Sequence, residues 1–386
     1  MSRYHSYLNT AVKIIDSFKG EIPFSIFIKQ FFAGEKKYGS NDRRQIIGLC
    51  YNYYRLGFAA AQTSTEERIV LAYFLCNNQP SPFMAQVNAV WNNQIIQPLN
   101  EKLKLLNNSF SVENIFPFKN ELGEFIDAGA LGRSFLVQPS LYLRVRPGQR
   151  NMVMDKLAMN GVEYLVGDDC FELAPATRIE TFLELDKEVV VQDYNSQKVL
   201  NYFKEIKYPG ALSVWDCCAA SGGKSILAWD LFNSNIELTV SDIRESILAN
   251  LHARFKRAGI KKYKSFVADI ANENLQYKAS IYDIIICDAP CTGSGTWGRT
   301  PEQLCFFSAG QVDFFSERQK RIVDGVIPHL KNGGMFFYIT CSVFKKENEV
   351  IAEYIQKQKN LELLYMQLLE GYNKKADSMF VAVFRK

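Results

Sequence analysis

Two cysteines follow apolar runs at positions where a side chain could do chemistry. Cys291 comes directly after Asp288-Ala-Pro, and Cys341 stands within Tyr338-Ile-Thr-Cys-Ser342. A buried cysteine is usually a small hydrophobe, but both of these lie in turn-like sequence beyond an apolar segment. A thiolate is a nucleophile that can add to an electrophilic carbon and form a covalent intermediate. The pattern therefore predicts a crevice into which two thiols point.

A glycine-rich turn precedes both cysteines, in Val214-Trp-Asp-Cys-Cys-Ala-Ala-Ser-Gly-Gly-Lys-Ser225. Glycines let a ligand approach the backbone closely, and the N-terminus of the following helix can receive a carboxylate. The end of this turn is similar to a phosphate-binding P-loop. That motif needs a glycine six residues before the lysine, where this chain has Cys218. The turn therefore predicts a cofactor site of another kind.

Three aspartates follow three further apolar segments. Asp242 ends the segment about 20 residues after the glycines, a position from which a carboxylate can accept hydrogen bonds from ribose hydroxyls. Asp269 is placed to accept from an exocyclic amine such as that of adenine, and Asp288 ends the next segment. A loop aspartate is more often a turn former or a helix cap. Three in succession at segment ends favour a ligand site.

The elements that must position these residues are apolar strands that alternate with amphipathic helices. This rhythm predicts a mostly parallel sheet with helices on both faces, and open α/β sheets bind ligands at the carboxyl ends of their strands. The predicted strands are 211–216, 237–242, 264–269, 282–288 and 335–340.

Two smaller regions precede this sheet. Residues 1–130 show helical periodicity, and Ser64 with Glu67 forms a capping box ahead of an apolar run. Residues 135–190 predict a small α+β unit, in which 141–146 alternates like a strand and 151–159 like a helix. The catalytic domain is expected over 191–386.

Composition narrows the class of protein. The 386 residues are 47% hydrophobic and 22% charged, without an apolar run long enough to span a bilayer and without a secretory signal. Nine cysteines are then expected as free thiols in a reducing cytoplasm, with no metal site, in a monomeric protein that does not associate with membranes. The net charge of +4 permits RNA as a partner. A basic excess in residues 1–50 includes Lys36, Lys37, Arg43 and Arg44.

Residues 139–386 resemble the Sun/Nop family of RNA cytosine-5 methyltransferases, and most closely its bacterial ribosomal RNA branch. Five motifs occur in the family's order: 191–197 before the first strand, the loop 218–224, Asp288-Ala-Pro-Cys291 with Gly293 and Gly295, Thr340-Cys-Ser342 followed by Glu347-Asn-Glu349, and the last strand 377–386. The N-terminal helices, including Asn41-Asp-Arg-Arg, resemble the NusB-like RNA-binding module of the bacterial members.

This resemblance implies an α/β fold: a Rossmann-like S-adenosylmethionine-dependent methyltransferase domain, with a small α+β unit and an N-terminal all-helical domain before it. It implies that Cys341 adds to C6 of a cytosine and that Cys291 helps to release the 5-methylcytosine product. Asp288 would contact cytosine N3, and Lys224 would orient Asp288. The residues implied to bind S-adenosylmethionine are Cys218, Ala219, Ala220, Ser221, Gly222, Gly223, Lys224, Asp242, Asp269 and Asp288.

Three positions depart from the family's pattern. Ser221 stands where the family has proline, and Cys217 where it has an aliphatic residue. Ile247 replaces an arginine five residues after the aspartate that binds ribose. Arg244 is the candidate to supply that charge from another position, so the departure bears on affinity for the cofactor.

Three alternatives stay open from the sequence. The chain could be a non-catalytic RNA-binding protein that kept the fold, or its substrate could be transfer RNA instead of ribosomal RNA. A methyltransferase for exocyclic amines would need Asp/Asn-Pro-Pro-aromatic after the fourth strand, where this chain has Asp-Ala-Pro-Cys at 288–291.

Overall fold

The computed structural model describes residues 3–35, 37–106, 110–167, 170–205, 210–272 and 280–386. Its α-helices are α1 (Arg3–Ser17), α2 (Phe24–Gly34), α3 (Ser40–Arg55), α4 (Thr65–Cys76), α5 (Pro82–Val87), α6 (Ala89–Gln94), α7 (Leu99–Leu105), α8 (Ala128–Ser134), α9 (Arg150–Met159), α10 (Gly223–Leu231), α11 (Glu245–Ala258), α12 (Glu302–Phe306), α13 (Gly310–Val326) and α14 (Glu349–Gln358). Its strands are β1 (Leu141–Val145), β2 (Tyr164–Val166), β3 (Cys170–Leu173), β4 (Val189–Val191), β5 (Leu212–Asp216), β6 (Ile236–Asp242), β7 (Tyr263–Val267), β8 (Tyr282–Asp288), β9 (Leu330–Thr340), β10 (Glu362–Leu369) and β11 (Met379–Arg385).

One compact unit is helical and is built from three separate stretches of chain. It comprises Met1–Asn120, Asp127–Gln138 and Trp297–Ser308. Helices α1, α3 and α4 pack on one another, and the predicted capping box is confirmed, because the Ser64 side chain accepts from the Glu67 N–H. The late stretch supplies core residues: the Trp297 ring lies 6.2 Å from that of Phe116 and is buried.

The second unit comprises Glu121–Ile126, Pro139–Thr296 and Ala309–Lys386. It begins with a four-stranded antiparallel sheet in the order β2-β3-β1-β4. Helix α9 covers one face of this sheet, because Val153 and Leu157 pack against Leu143 and Phe171. Alternating apolar residues thus bury one side of a short sheet, as the strand at 141–146 and the helix at 151–159 predicted.

The larger sheet of this unit has seven strands in the order β10-β11-β9-β8-β5-β6-β7. Strands β9, β8, β5, β6 and β7 run parallel, and β11 lies antiparallel between β9 and β10. Successive residues of a strand point to opposite faces. Val214 therefore faces the core formed with α10 and α11, whereas Trp215 faces the core formed with α13 and α14. The helices on both faces and the mostly parallel sheet confirm the predicted α/β class.

The five strands predicted from apolar runs are all present, with ends that differ by a few residues. Strand β9 begins at Leu330, earlier than predicted, and β7 ends at Val267, two residues before Asp269. Strand β10 was not predicted. Its residues are only partly buried and show no clean alternation, because it is the edge strand of the sheet.

A buried ion cluster joins the small sheet to the large domain within the second unit. Asp230 of α10 binds Arg144 and Arg146 of the β1 region at 2.5 and 2.9 Å, and the three side chains are 5–10% exposed. Burial against a carboxylate gives these two arginines a structural role.

Replacing Asp230 with asparagine should lower the free energy of unfolding by about 3–5 kcal/mol, because it leaves buried guanidinium groups without their counter-charge. Chemical denaturation at neutral pH measures this loss. Lys187→Gln is the matched control: Lys187 is 61% exposed and pairs with Glu184, so its loss should change stability by no more than about 0.5 kcal/mol. Equal effects of the two substitutions would contradict the role given to Asp230.

Candidate active site

A cavity of about 420 Å³ opens at the carboxyl ends of β5, β6, β7, β8 and β9. Carboxylates and thiols from these five strand ends meet in it, as expected of an open α/β sheet. Its lining residues are Cys217, Cys218, Ala220, Asp242, Ile243, Arg244, Ala268, Asp269, Ile270, Asp288, Ala289, Pro290, Cys291, Arg318, Ile322 and Cys341.

The two predicted thiols face each other in this cavity. The Sγ atoms of Cys291 and Cys341 lie 3.4 Å apart. Strand pairing explains the approach: β8 and β9 are parallel neighbours in which Asp288 lies opposite Ile339. Cys291 follows the first of these residues by three positions and Cys341 follows the second by two. Both thiols therefore leave the sheet at the same edge.

The environment distinguishes the two thiols. The contact with the Cys341 thiol and, after it, burial raise the pKa of Cys291 above its ordinary value, so Cys291 keeps its proton at neutral pH. The Lys224 ammonium is close enough to Cys341 for their charges to interact. Cys341 is thus the thiol with a cation nearby, and Cys291 is the thiol that retains hydrogen.

Lys224 and Asp288 form an ion pair beside the thiols. Nζ of Lys224 lies 2.6 Å from Oδ2 of Asp288, and the lysine side chain is 12% exposed. Burial opposes the lysine's charge, but the Asp288 carboxylate outweighs it and raises the pKa of Lys224. A permanently charged lysine therefore fixes one oxygen of Asp288, as the sequence resemblance implied for this pair.

The glycine-rich loop between β5 and α10 is held in a left-handed conformation. Ala220 has φ 47°, and its N–H donates to Oδ2 of Asp242 at 3.0 Å. Gly222 has φ +84°, and an added Cβ would lie 2.7 Å from the ring of Phe255 on α11. Glycine is required there because both the backbone conformation and the close helix exclude a side chain.

Ser221, which replaces the family's proline, is anchored by α11. Arg254 donates from Nη1 to both the carbonyl oxygen and Oγ of Ser221 at 3.0 Å, and its Nη2 lies 2.7 Å from Asp186. The serine thus gains a hydrogen bond that proline could not make.

Each remaining carboxylate of the cavity has an arginine nearby. Arg244 donates to Oδ1 of Asp242 at 3.1 Å and is 57% exposed. Arg318 of α13 lies 3.8 Å from Asp269. Arg244 thus supplies positive charge at the cavity although Ile247 occupies the family's arginine position.

The residues predicted from sequence divide into two groups. Cys341, Cys291, Asp288, Cys218, Ala220, Asp242 and Asp269 line the cavity, whereas Ala219, Ser221, Gly222, Gly223 and Lys224 build the turn and the ion pair behind it. Sequence reasoning missed Arg318 and Ile322, which α13 brings to the opposite wall. The amphipathic pattern of α13 was a signal for a packed helix, but it did not indicate which loop the helix faces.

A cluster of three sulfurs lies at the wall of the cavity. Within the described residues, the Sγ atoms of Cys217, Cys218 and Cys287 lie within 4.8 Å of one another. Burial raises the pKa of Cys217, whereas hydrogen bonds with Cys217 and Cys218 lower the pKa of Cys287. All nine cysteines are free.

Comparison with known proteins identifies the domain that carries this cavity. Residues 209–384 match the family model described as 16S rRNA methyltransferase RsmB/F. The chain is 28% identical over 244 residues to the probable ribosomal RNA small subunit methyltransferase B of Bacillus subtilis (strain 168), covering 62% of this chain and 54% of that protein. It is 27% identical over 233 residues to the corresponding protein of Enterobacter sp. (strain 638), covering 58% and 53%. The chain thus spans about half the length of these curated relatives.

Solved structures show a shared fold. PH0851 aligns with a TM-score of 0.71 at 17% identity, over 100% of this chain and 99% of that one. NSun6 from Pyrococcus horikoshii with SFG aligns with a TM-score of 0.55 at 16% identity, over 64% and 91%. Within the described residues, no helix combines the length and apolar character that crossing a bilayer requires.

Proposed function

Because residues 209–384 match the family model described as 16S rRNA methyltransferase RsmB/F, we propose that this chain transfers a methyl group from S-adenosylmethionine to C5 of a cytosine in RNA. The observation that carries the proposal is the pair of thiols at 3.4 Å in a cavity that also contains three strand-end carboxylates. Methyl transfer to an exocyclic amine needs no thiol, and a protein that only binds RNA needs neither group.

The cavity fits S-adenosylmethionine. Asp242 and Asp269 offer carboxylate oxygens for the ribose hydroxyls and the adenine amine, and Ala220 of the left-handed loop lines the cavity beside them. A structural neighbour, NSun6, was solved with SFG, an analogue of this cofactor. When bound, S-adenosylmethionine supplies an electrophilic methyl group on a sulfonium centre.

Cys341 provides the nucleophile that makes cytosine reactive. C5 of cytosine is a poor nucleophile, but a bond from the Cys341 sulfur to C6 shifts the ring's electrons and turns C4–C5 into an enamine. C5 then has the electron density to accept a methyl group. Transfer of the C5 proton to solvent then returns the C–H electrons to the C5–C6 bond, and the Cys341 thiolate departs from C6, which restores the ring. Cys291 lies beside this sulfur and assists the departure.

Asp288 and Lys224 orient the base during addition. The Lys224 ion pair fixes Oδ2 of Asp288, which leaves Oδ1 as the acceptor for the base. Addition of sulfur to C6 makes N3 basic, so N3 takes up a proton from solvent, and the resulting N3–H would donate to Asp288. The target base must be unstacked to reach the cavity, at a cost of a few kcal/mol unless the RNA presents it unpaired.

The proposed substrate is small-subunit ribosomal RNA, because the curated relatives are named as methyltransferases of that RNA. The proposed location is the cytoplasm. Bisulfite sequencing of ribosomal and transfer RNA, after incubation with this chain and S-adenosylmethionine, tests the substrate class. A protected cytosine in transfer RNA alone would redirect the proposal. No protected cytosine in any RNA, from a folded protein that binds RNA, would favour the non-catalytic alternative.

Cysteine variants should separate addition from release. Cys341→Ala should abolish methyl transfer but still bind cofactor, whereas Cys291→Ala should accumulate a covalent RNA–protein complex because elimination slows. Denaturing gels with radiolabelled RNA detect the complex. Cys170→Ser, outside this cavity, should retain both activities. A complex formed by Cys341→Ala would exclude Cys341 as the nucleophile.

Asp242→Asn should weaken S-adenosylmethionine binding by roughly ten- to a hundredfold, or about 1.5–3 kcal/mol, because a charged acceptor is lost. Calorimetric titration of the folded variant measures this. Asp313→Asn, an exposed residue on α13, is the control and should bind the cofactor as the native chain does. An unchanged dissociation constant for Asp242→Asn would show that this carboxylate does not hold the ribose.

The basic residues of the helical unit are proposed to contact the phosphates of RNA. Arg43 donates to the Tyr38 carbonyl at 2.9 Å, and Lys37 lies 3.7 Å from Glu35, whereas Arg44 is exposed on α3; Lys36 lies outside the described residues. Arg44 is therefore the clearest candidate for a phosphate contact.

Arg44→Gln should reduce the slope of log affinity against log salt by about 0.7, the contribution of one contact with single-stranded RNA. Fluorescence anisotropy across a salt series measures the slope. Lys104→Gln, which removes an exposed lysine paired with Glu101, serves as control. Identical slopes in both variants and the native chain would indicate that the Arg44 face is only solvated.

A further inference from the structure

One buried carboxylate binds both loops that carry the thiols. Oε1 of Glu347 accepts from the N–H of Thr292 at 2.8 Å, and its Oε2 accepts from the Thr292 hydroxyl at 2.6 Å. Oε2 also accepts from the Ser342 hydroxyl. Thr292 directly follows Cys291, and Ser342 directly follows Cys341. A single side chain thus holds the residue next to each thiol.

Asn348, the residue after Glu347, also binds the loop that carries Cys341. Nδ2 of Asn348 donates to the Ser342 carbonyl at 2.9 Å, and its Oδ1 accepts from the Thr340 hydroxyl at 2.5 Å. Thr340 and Ser342 flank Cys341. The backbone of this loop is therefore fixed on both sides of the thiol by one amide.

This network has no access to solvent. Glu347, Asn348, Thr340 and Ser342 are each 0% exposed, and Gln319 of α13 adds a donor to Oε1 of Glu347 at 3.2 Å. Burial raises the pKa of Glu347 against the opposing effect of its hydrogen bonds from Ser342 and Thr292. Burying a carboxyl group is costly, and the side chains that bind this one, Thr292, Ser342 and Gln319, lie in or behind the thiol loops. Its burial therefore needs a reason beyond packing.

Glu347 is absent from the lining of the cavity, so it acts through other residues. The main chains of the two loops also meet directly, because the Gly295 N–H donates to the Cys341 carbonyl at 2.8 Å. Gln319 also donates to the Pro290 carbonyl at 2.9 Å, and Thr292 to the Ser294 hydroxyl at 3.1 Å. Among these contacts, Glu347 is the one whose side chain binds both thiol loops.

We propose that Glu347 is a positioning residue that sets the separation of Cys291 and Cys341 by binding the residue after each of them. The proposal rests on the proposed function for its catalytic consequence, but the separation itself is a property of the free protein. Thiols that must act on one base in turn have to be held within a fraction of an ångström, since a displacement near 1 Å can cost about a hundredfold in rate.

Disulfide trapping measures the separation without RNA or cofactor. Diamide removes one hydrogen from each thiol and leaves a disulfide, so the rate at which a Cys291–Cys341 disulfide forms reports how often the two sulfurs meet. Mass spectrometry of the cross-linked peptide follows that rate. Glu347→Gln replaces a carboxylate oxygen, which accepts hydrogen bonds, with an amide N–H₂, which can only donate. The substitution should therefore slow disulfide formation about tenfold or more.

Steady-state kinetics give the matching functional readout. Glu347→Gln should lower kcat by about ten- to a hundredfold, while KM for RNA and Kd for S-adenosylmethionine stay within twofold, because Glu347 touches neither. Glu188→Gln is the control: Glu188 is a buried carboxylate that binds Lys156 and the Glu184 N–H, far along the chain from both thiol loops. It should lose stability without a change in the disulfide rate.

Thr292→Val provides a second route if Glu347→Gln does not fold, because it removes one hydroxyl donor and keeps the side-chain shape. It should reproduce the slower disulfide formation in part. A disulfide rate equal to that of the native chain in both variants would overturn the proposal, as would a rise in KM or Kd as large as the fall in kcat. If the native chain methylates no RNA, the proposed function fails while the trapping experiment still decides the role of Glu347.

Discussion

The parallel pairing of β8 with β9 is the constraint on which the site depends. Each strand carries a short loop at its carboxyl end, and the loops begin from residues that lie opposite each other, Asp288 and Ile339. Parallel neighbours are about 4.8 Å apart, so two side chains that leave adjacent ends can approach to contact. The Sγ–Sγ distance of 3.4 Å follows from this arrangement. Neither thiol loop alone could produce it.

Strand ends bring groups together only coarsely, and buried polar contacts refine their positions. The Lys224–Asp288 pair fixes a carboxylate, and Glu347 with Asn348 fixes two loops. Such groups are costly to bury and stabilise the fold only when every partner is present. Close packing also restricts Gly295, because a Cβ added there would lie 2.1 Å from the Ser378 carbonyl oxygen. Hydrogen bonds and close packing therefore hold the loops that carry Cys291 and Cys341 in place.

Local sequence pattern was enough to predict five strands of the large sheet and the residues at its edge. Apolar runs indicated these strands, and the rule that parallel strand ends share one edge predicted that Asp242, Asp288, Cys291 and Cys341 lie in one crevice. Contacts between distant segments leave no such local trace. Nothing in 345–349 indicates that the Glu347 carboxyl reaches Thr292, and the helical pattern of α13 does not indicate that Arg318 faces Asp269. The edge strand β10 was missed because partial exposure weakens its alternation.

The helical unit has a consequence for how the chain folds as it is made. Its core includes Trp297 and Leu304, which are buried yet stand far beyond the end of its main stretch at Asn120. Domains generally fold in the order in which they leave the ribosome. Here the core of α1 to α8 can be completed only after residue 308 has been synthesised, by which time β5 to β8 have already been made. The helical core is therefore finished only after most of the large sheet's parallel strands have been synthesised.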